Sequence, residues 1–201
     1  MASSATPYGL KPVNLIGGQP YAGSTRQIKI ASGYGTNIFN GSVVSIVAGG
    51  TIEIVTTNGD NSTGFPAGTI GIFVGCRYTD PSTSQLTFNQ YWPTGTVASD
   101  AMAYIVDDPD VVFQIQADGA VTQADLGQNT HLAAVQSTST GSTTTGNSTS
   151  AATSTTNTTS GWAFRIVDFV DAPGSSIGDA YTDLLVKFNP DSHSYLNKTG
   201  I

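Results

Sequence analysis

The stretch SVVSIVAGGTIEIVT, residues 42–56, decides the fold class of this chain. Apolar β-branched residues dominate both halves, and Ile52 and Ile54 alternate with their neighbours in the manner of a half-buried strand. Gly49 and Gly50 separate the halves, and a glycine pair adopts the positive φ angles of a tight hairpin turn without a steric penalty. The stretch therefore predicts a β-hairpin.

Similar short runs recur along the rest of the chain, separated by turn residues. Asp80-Pro81 and Asp108-Pro109-Asp110 are typical separators, because Asp bonds to its own backbone and Pro fixes the next φ angle. The hairpin and the other runs give nine predicted strands, at residues 26–31, 42–47, 51–56, 69–78, 85–92, 101–107, 111–116, 163–170 and 183–188.

Helical patterning is confined to TQADLG, residues 122–127. A Thr cap, an acid three residues later and a terminal glycine predict a single helical turn there. No segment shows the periodicity of an amphipathic helix of ten residues. The sequence predicts an all-β fold, a small barrel or sandwich of about nine short strands.

Residues 1–25 are predicted to form an extended N-terminal arm, with residues 26–201 as a single β domain. Pro7, Pro12 and Pro20 prevent a helix and interrupt strand pairing. Because the arm also carries apolar residues and the tyrosines Tyr8 and Tyr21, we expect it to lie along a surface, either its own or that of a partner.

Residues 137–160 form a tract in which 18 of 24 residues are Ser or Thr. The tract has no charge and no large apolar side chain, so it offers little surface whose burial could offset the entropy of ordering it. Strand-like runs lie on both sides of it. We expect a long Ser/Thr-rich loop inserted into the β domain, weakly ordered and pointing outward.

Charge is scarce and unevenly placed. Only 10% of residues are charged, against about 25% in average soluble proteins. Residues 1–52 carry a charge of +3, whereas residues 53–201 hold four basic and fourteen acidic residues. An acidic body is unsuited to binding nucleic acid, and the chain has no apolar run long enough for a membrane span. Such a sparsely charged surface favours contact with other protein.

The chain carries weak candidates for catalysis. The histidines are His131 and His193, and the nucleophile motif G-x-S-x-G does not occur. Cys76 lies in the apolar run GIFVGCRY and is interpreted as a buried small hydrophobe. We therefore expect a protein that is not an enzyme and that has no catalytic residues.

An acidic cluster and an aromatic cluster could each either bind a ligand or have a purely structural role. Asp107, Asp108 and Asp110 could supply oxygen ligands to Ca²⁺, but the DPD sequence is better interpreted as a turn. The glycine-rich fragments do not continue into a nucleotide-binding motif, so no cofactor or metal is expected.

A group of aromatic residues could form a platform for binding sugars; its members are Phe88, Tyr91 and Trp92. The favoured interpretation is structural. Leu86 and Phe88 would lie on the core-facing side of one strand, and the aromatic residues after them would anchor a loop.

The order of several segments resembles a family of small head proteins from tailed phages, especially phages of aquatic bacteria and cyanobacteria. The pieces are TPYGLKPVNLIGGQPYAGST at residues 6–25, YIVDDPDVVFQIQADG at 104–119 and RIVDFVDAPG at 165–174. The resemblance extends over residues 7–189. Some members of that family serve as capsid cement, or decoration, proteins.

The resemblance implies a structural virion protein on the outer surface of an icosahedral capsid. It would bind the major capsid protein at junctions between capsomers, as a homotrimer, and cement them together. The alternative is a receptor- or glycan-binding module of a head fibre or tail. The expected capsid contacts on the arm are Tyr8, Leu10, Val13, Leu15, Ile16 and Tyr21.

Overall fold

The structure is a computed structural model that describes residues 4–60, 64–159 and 161–201. Residues 1–3 of the predicted arm and Ser160 of the tract lie outside this description. These described ranges contain eleven strands and two short 3₁₀ turns. The strands are β1 (Lys11–Leu15), β2 (Arg26–Lys29), β3 (Val43–Ile46), β4 (Ile52–Ile54), β5 (Thr69–Thr79), β6 (Leu86–Asn89), β7 (Met102–Val106), β8 (Val111–Gln116), β9 (Asn129–Thr130), β10 (Phe164–Phe169) and β11 (Asp183–Phe188).

The strands form two antiparallel sheets that pack together. The five-stranded sheet has the order β1-β8-β11-β10-β9, and the six-stranded sheet has the order β2-β7-β5-β3-β4, with β6 paired to β5. The all-β fold predicted from sequence is confirmed, as are all nine predicted strands. β1 and β9 are additional. In the described part of the chain, no helix has the length and apolar composition needed to cross a membrane.

The β3–β4 hairpin pairs its two strands in antiparallel register. Val44 lies opposite Ile54, and Ile46 lies opposite Ile52. Gly50 has a φ of 70°, which glycine adopts without strain, and so closes the turn. The predicted hairpin is therefore confirmed.

The other predicted turns are also present. Asp108 accepts the Asp110 backbone N–H at 2.8 Å, and the DPD turn carries the chain from β7 in one sheet to β8 in the other. The helical turn expected at residues 122–127 is the 3₁₀ turn Gln123–Asp125. The Asp125 carboxylate accepts the Thr122 N–H at 2.8 Å.

The longest strand, β5, organises the six-stranded sheet. β7 pairs along one of its edges, while β3 and β6 share the other edge in succession. A parallel bridge between Ile30 and Ile52 joins the chain beyond β2 to β4, so this sheet curls around its own core. Trp92 is fully buried in that core, with its ring 5.4 Å edge-on from Tyr78.

A second core lies between the two sheets and is rich in phenylalanine. The Phe164 and Phe188 rings are 5.0 Å apart, Phe113 packs edge-on at 5.6 Å from Phe188, and Phe65 packs edge-on at 5.4 Å from Phe164. Edge-to-face pairs of this kind each add about 1 kcal/mol beyond their burial.

The N-terminal arm is extended, as predicted, but the structure makes it part of the domain. β1 pairs with β8, and the Thr6 backbone N–H donates to the side chain of Gln116 at 2.8 Å. Leu10 is 1% exposed and belongs to the core between the sheets. Proline tolerates an edge strand, where an N–H is not required, so Pro12 fits within β1.

Residues 137–159 form a long loop, as predicted, but the expectation that this loop is weakly ordered and points outward is wrong. Gly146, Ser148, Ser150 and Ala152 alternate inward, and Ala152 is fully buried in the core between the sheets. The tract exchanges backbone hydrogen bonds with residues 40, 116, 118, 129, 131 and 133. Because its residues are small, the backbone of the tract can approach the sheets closely. This close approach offsets the small apolar area that the tract can bury.

A buried glutamine holds β3 beside the end of β4. The Val43 N–H donates to Gln136 Oε1 at 2.9 Å, and Gln136 Nε2 donates to the carbonyl oxygens of Val43 and Val55 at 3.1 Å each. Gln136 is 1% exposed, so the amide replaces a strand partner in a place that water does not reach.

We predict that Gln136→Met lowers the free energy of unfolding by about 3 kcal/mol, because buried backbone groups lose their partner. Urea denaturation measures the change. Gln123→Met, on an exposed residue of the 3₁₀ turn, is the control and should change stability by less than about 0.5 kcal/mol. Equal stability of the two variants would contradict the role assigned to Gln136.

Candidate binding surfaces

The six predicted contact residues fall into three groups in the structure. Val13 and Ile16 are exposed, by 42% and 52%, at the edge of the five-stranded sheet. Tyr8, Leu15 and Tyr21 are half-buried. Leu10 is in the protein's own core and is withdrawn from the predicted contacts.

The half-buried members attach the N-terminal segment to the domain. Leu15 and Tyr21 pack against the core between the sheets. The Lys11 ammonium lies 4.0 Å from the centre of the Tyr8 ring. Burial, together with the neighbouring Asp183 carboxylate, raises the pKa of Tyr8. Val13 and Ile16 are thus the predicted contacts that remain most open to a partner.

A second exposed apolar surface lies on β6. Leu86 is 54% exposed and Phe88 is 67% exposed. The alternation expected from sequence is present, but the predicted direction is wrong, because these side chains face outward and not toward the core. Sequence periodicity identifies two faces of a strand without saying which one the rest of the chain covers.

The aromatic group does not form a platform. Trp92 is fully buried, and its indole N–H donates to the Tyr34 carbonyl oxygen at 3.3 Å. Tyr91 stacks on Phe39 at 5.6 Å. Phe88 alone presents an open ring, so the interpretation of Tyr91 and Trp92 as structural residues is the one the structure supports.

The acidic cluster is engaged with protein partners. Asp107 pairs with Arg26 at 2.8 Å and accepts the Tyr195 hydroxyl at 2.7 Å. Asp110 pairs with Lys187 at 2.7 Å. Within the described ranges, no group of three or more His, Cys, Asp or Glu side chains is arranged to hold a metal ion.

A surface cleft lies beside the C-terminal segment. It has a volume of about 700 Å³ and is lined by Phe65, Pro66 and Ala67 on one side and by Leu196 and Lys198 on the other. Its lining also includes the polar or charged residues Asp191, Asn197 and Thr199, and the geometry does not bring these groups together as a reactive pair. We assign it no chemical role.

The histidines occupy separate aromatic environments. The His131 ring lies 4.7 Å edge-on from Trp162. His193 packs against Phe188 and Tyr195, and its Nδ1 accepts the Tyr195 N–H at 3.3 Å. Burial lowers the pKa of His193 from its ordinary value of 6.5. The neutral ring is therefore the form that the fold stabilises.

Acid should destabilise the protein through His193. Below pH 6.5 the unfolded chain binds a proton that the folded chain excludes, so stability is complete above that pH and falls as the pH decreases. We expect the wild-type chain to lose more stability than His193→Gln between pH 7.5 and 5.5, by an amount that cannot exceed about 1.4 kcal/mol for a group with an unfolded pKa of 6.5. Urea denaturation at the two pH values measures this difference. An equal loss in both proteins would contradict the prediction.

Cys76 is buried, as its sequence context predicts. It is 1% exposed, and its Sγ lies 3.4 Å from the Tyr91 carbonyl oxygen. Burial raises the pKa of the thiol to about 12. The thiolate, which is the reactive form, is therefore strongly disfavoured in the folded protein.

Comparisons with protein-family models, with curated proteins and with solved structures found no match for this chain.

Proposed function

We propose that this chain is a structural protein of a tailed-phage head, which binds the outer surface of the capsid and cements neighbouring capsomers. The proposal follows the sequence resemblance and is supported by one observation on the surface. Among the described residues, eleven large apolar side chains are exposed, in a chain that is only 10% charged. A surface of this kind favours association with other protein over isolation in water.

The proposed mechanism is mechanical. A protein that bridges capsomers must dissociate before they can separate, so its binding energy adds to that of the shell. A standard interface buries roughly 800 Å² on each partner. Three linked contacts in a homotrimer would gain from high effective concentration. The major capsid protein is the proposed partner, and the outer face of the virion is the proposed location.

The alternative, a receptor- or glycan-binding module, has less support. A sugar platform requires several open aromatic faces, whereas Trp92 is buried and Tyr91 is stacked on Phe39. If the gene lies beside the major capsid gene, the capsid-cementing role is favoured. If it lies among fibre genes, the receptor- or glycan-binding role is favoured.

Co-sedimentation with the shells of the encoding phage tests the function. We expect the wild-type protein to sediment with shells and to raise the temperature at which they rupture. Val13→Asp/Ile16→Asp should bind about tenfold more weakly if these side chains enter the contact, because carboxylates would then lose their water. Val135→Asp, at another exposed apolar residue, is the control. Failure of the wild-type protein to bind would contradict the proposed function.

A further inference from the structure

The C-terminal segment, residues 194–201, is attached to the body of the domain by polar contacts more than by burial. All eight of these residues are described, and none of them is buried. The Ser194 N–H donates to the Thr69 carbonyl oxygen at 2.6 Å, and the Asn197 side-chain amide donates to the Ala67 carbonyl oxygen at 3.1 Å. Because little apolar area holds the segment, its release should cost far less free energy than the unfolding of the sheets.

A further attachment joins the segment to the end of β7. The Tyr195 hydroxyl donates to Asp107 at 2.7 Å, and Arg26, which pairs with Asp107 at 2.8 Å, lies 5.4 Å from the centre of the Tyr195 ring. Burial, together with the Asp107 carboxylate, raises the pKa of Tyr195 to about 12, so the hydroxyl keeps its proton in neutral and acidic solution. Tyr195 is nevertheless 44% exposed, and water weakens such a contact.

His193 stands at the start of the segment and accepts three successive backbone N–H groups from it. The imidazole Nδ1 accepts the Tyr195 N–H at 3.3 Å, and the carbonyl oxygen accepts the N–H groups of Leu196 and Asn197 at 2.9 and 3.0 Å. A ring nitrogen accepts a hydrogen bond only while it carries no proton. This turn therefore requires the neutral ring, with its proton on Nε2.

The His193 ring is buried where a positive charge would be poorly solvated. It is 1% exposed, and the Phe188 and Tyr195 rings pack edge-on against it at 5.7 and 5.3 Å. Nε2 is buried near the Ile70 backbone but makes no well-formed hydrogen bond to the described residues. A ring with a proton on both nitrogens would turn an N–H toward the Tyr195 N–H in either flip state. Protonation is therefore incompatible with this turn.

Charged groups on the neighbouring elements also act on the ring. Asp107 and Asp108, in the turn from β7 to β8, favour its cation, whereas Lys187 on β11 opposes it. Asp107 is already paired with Arg26 of β2. Burial outweighs the two carboxylates and holds the pKa of His193 below 6.5.

We propose that His193 is a pH-sensitive switch for the C-terminal segment: protonation of its ring releases residues 194–201 while the two sheets remain folded. The chain before the switch stays attached, because the Phe65 N–H donates to the Ser192 hydroxyl at 3.2 Å. The segment forms one wall of the cleft described above, so its release would open that cleft on one side. The switch goes beyond the proposed function and does not depend on capsid binding.

The size of the effect follows from linkage. The released segment binds a proton at His193 with the ordinary pKa of 6.5, and the attached segment excludes that proton. Attachment is therefore complete above pH 6.5 and weakens below it, by at most about tenfold per pH unit. Between pH 7.5 and 5.5 the equilibrium constant for release should rise by up to about tenfold.

Hydrogen exchange at pH 7.5 and 5.5, expressed as protection factors, tests the switch. We expect the amides of Ser194, Leu196 and Asn197 to be less protected than those of β5 and β8 at both pH values, and to lose about tenfold in protection at the lower pH. His193→Gln keeps an acceptor but takes up no proton, so protection of its segment should change less than about twofold. His131→Gln, at the other histidine, is the matched control and should behave like the wild-type protein.

Tyr195→Phe tests the same switch without altering the histidine, in case His193→Gln does not fold. Loss of the hydroxyl removes the contact with Asp107, so protection of the segment should fall at least about threefold at both pH values. The tenfold dependence on pH should be retained, because His193 is intact.

Two results would overturn the inference. If the segment amides are as protected as those of the sheets, the segment opens only when the whole domain unfolds. If protection does not fall at pH 5.5 in the wild-type protein, or falls equally in His193→Gln, protonation of His193 does not release the segment.

Discussion

Replacing residues 137–160 with a short Gly-Ser linker is expected to abolish cooperative folding. The tract makes at least nine backbone hydrogen bonds to other parts of the chain. At about 1 kcal/mol each, their loss is comparable to the whole stability of a domain, which is about 5–15 kcal/mol. The replacement would also uncover the core beside Ala152 and the outer edge of β9.

The melting transition followed by circular dichroism measures this effect. The control replaces Thr143 and Thr144, which are exposed at the tip of the tract, with Gly and Ser, and it should leave the transition almost unchanged. A linker variant that melts like the wild-type protein would show that the tract is dispensable for folding.

A single substitution tests the same close packing. Ser148 Cβ lies only 2.7 Å from the position that a Cβ on Gly9 would occupy. We therefore expect Ser148→Leu to push the tract off the N-terminal segment, whereas the neighbouring, outward-facing Thr149→Leu is tolerated.

Gly71→Ala is expected to lower the free energy of unfolding by at least about 4 kcal/mol. Gly71 has a φ of 140°, where side chains are strained by about 1–3 kcal/mol. A Cβ there would also overlap the carbonyl oxygen of Val106. That oxygen belongs to β7, which pairs with β5, so relief requires the two central strands to separate.

Urea denaturation of Gly71→Ala and of Gly50→Ala separates the cost of backbone strain at a positive φ from the cost of the steric overlap of the new Cβ. Gly50 has a φ of 70°, but nothing lies within 4 Å of the position of its Cβ. Its substitution should cost about 1 kcal/mol. Similar losses in the two variants would show that the β5–β7 ladder can move, against our expectation.

The local sequence predicted the strands well, because alternation and turn chemistry act over a few residues. The β3–β4 hairpin and the DPD turn are clear examples. The missed strands, β1 and β9, lack such patterns. β1 contains Pro12, and β9 has two residues whose pairing depends on distant segments.

The candidate contacts were predicted less well, because exposure is a property of the assembled chain. Val13 and Ile16 are open, but Leu10, with the same apolar character, is in the core. Leu86 and Phe88 have the pattern of a buried face and are exposed, since no other part of the described chain covers the outer side of β6.

The sequence by itself determined the all-β class, the positions of nine of the eleven described strands, the hairpin and the burial of Cys76, since each follows from apolar patterning within one short segment. Tertiary structure alone decided the place of the Ser/Thr tract. Its small residues recur at every second position from Gly146 to Ala152, and they gain stability only when two sheets supply backbone partners and a surface close enough to touch. Composition records the apolar area that a segment can bury, but not the hydrogen bonds that distant strands offer to it.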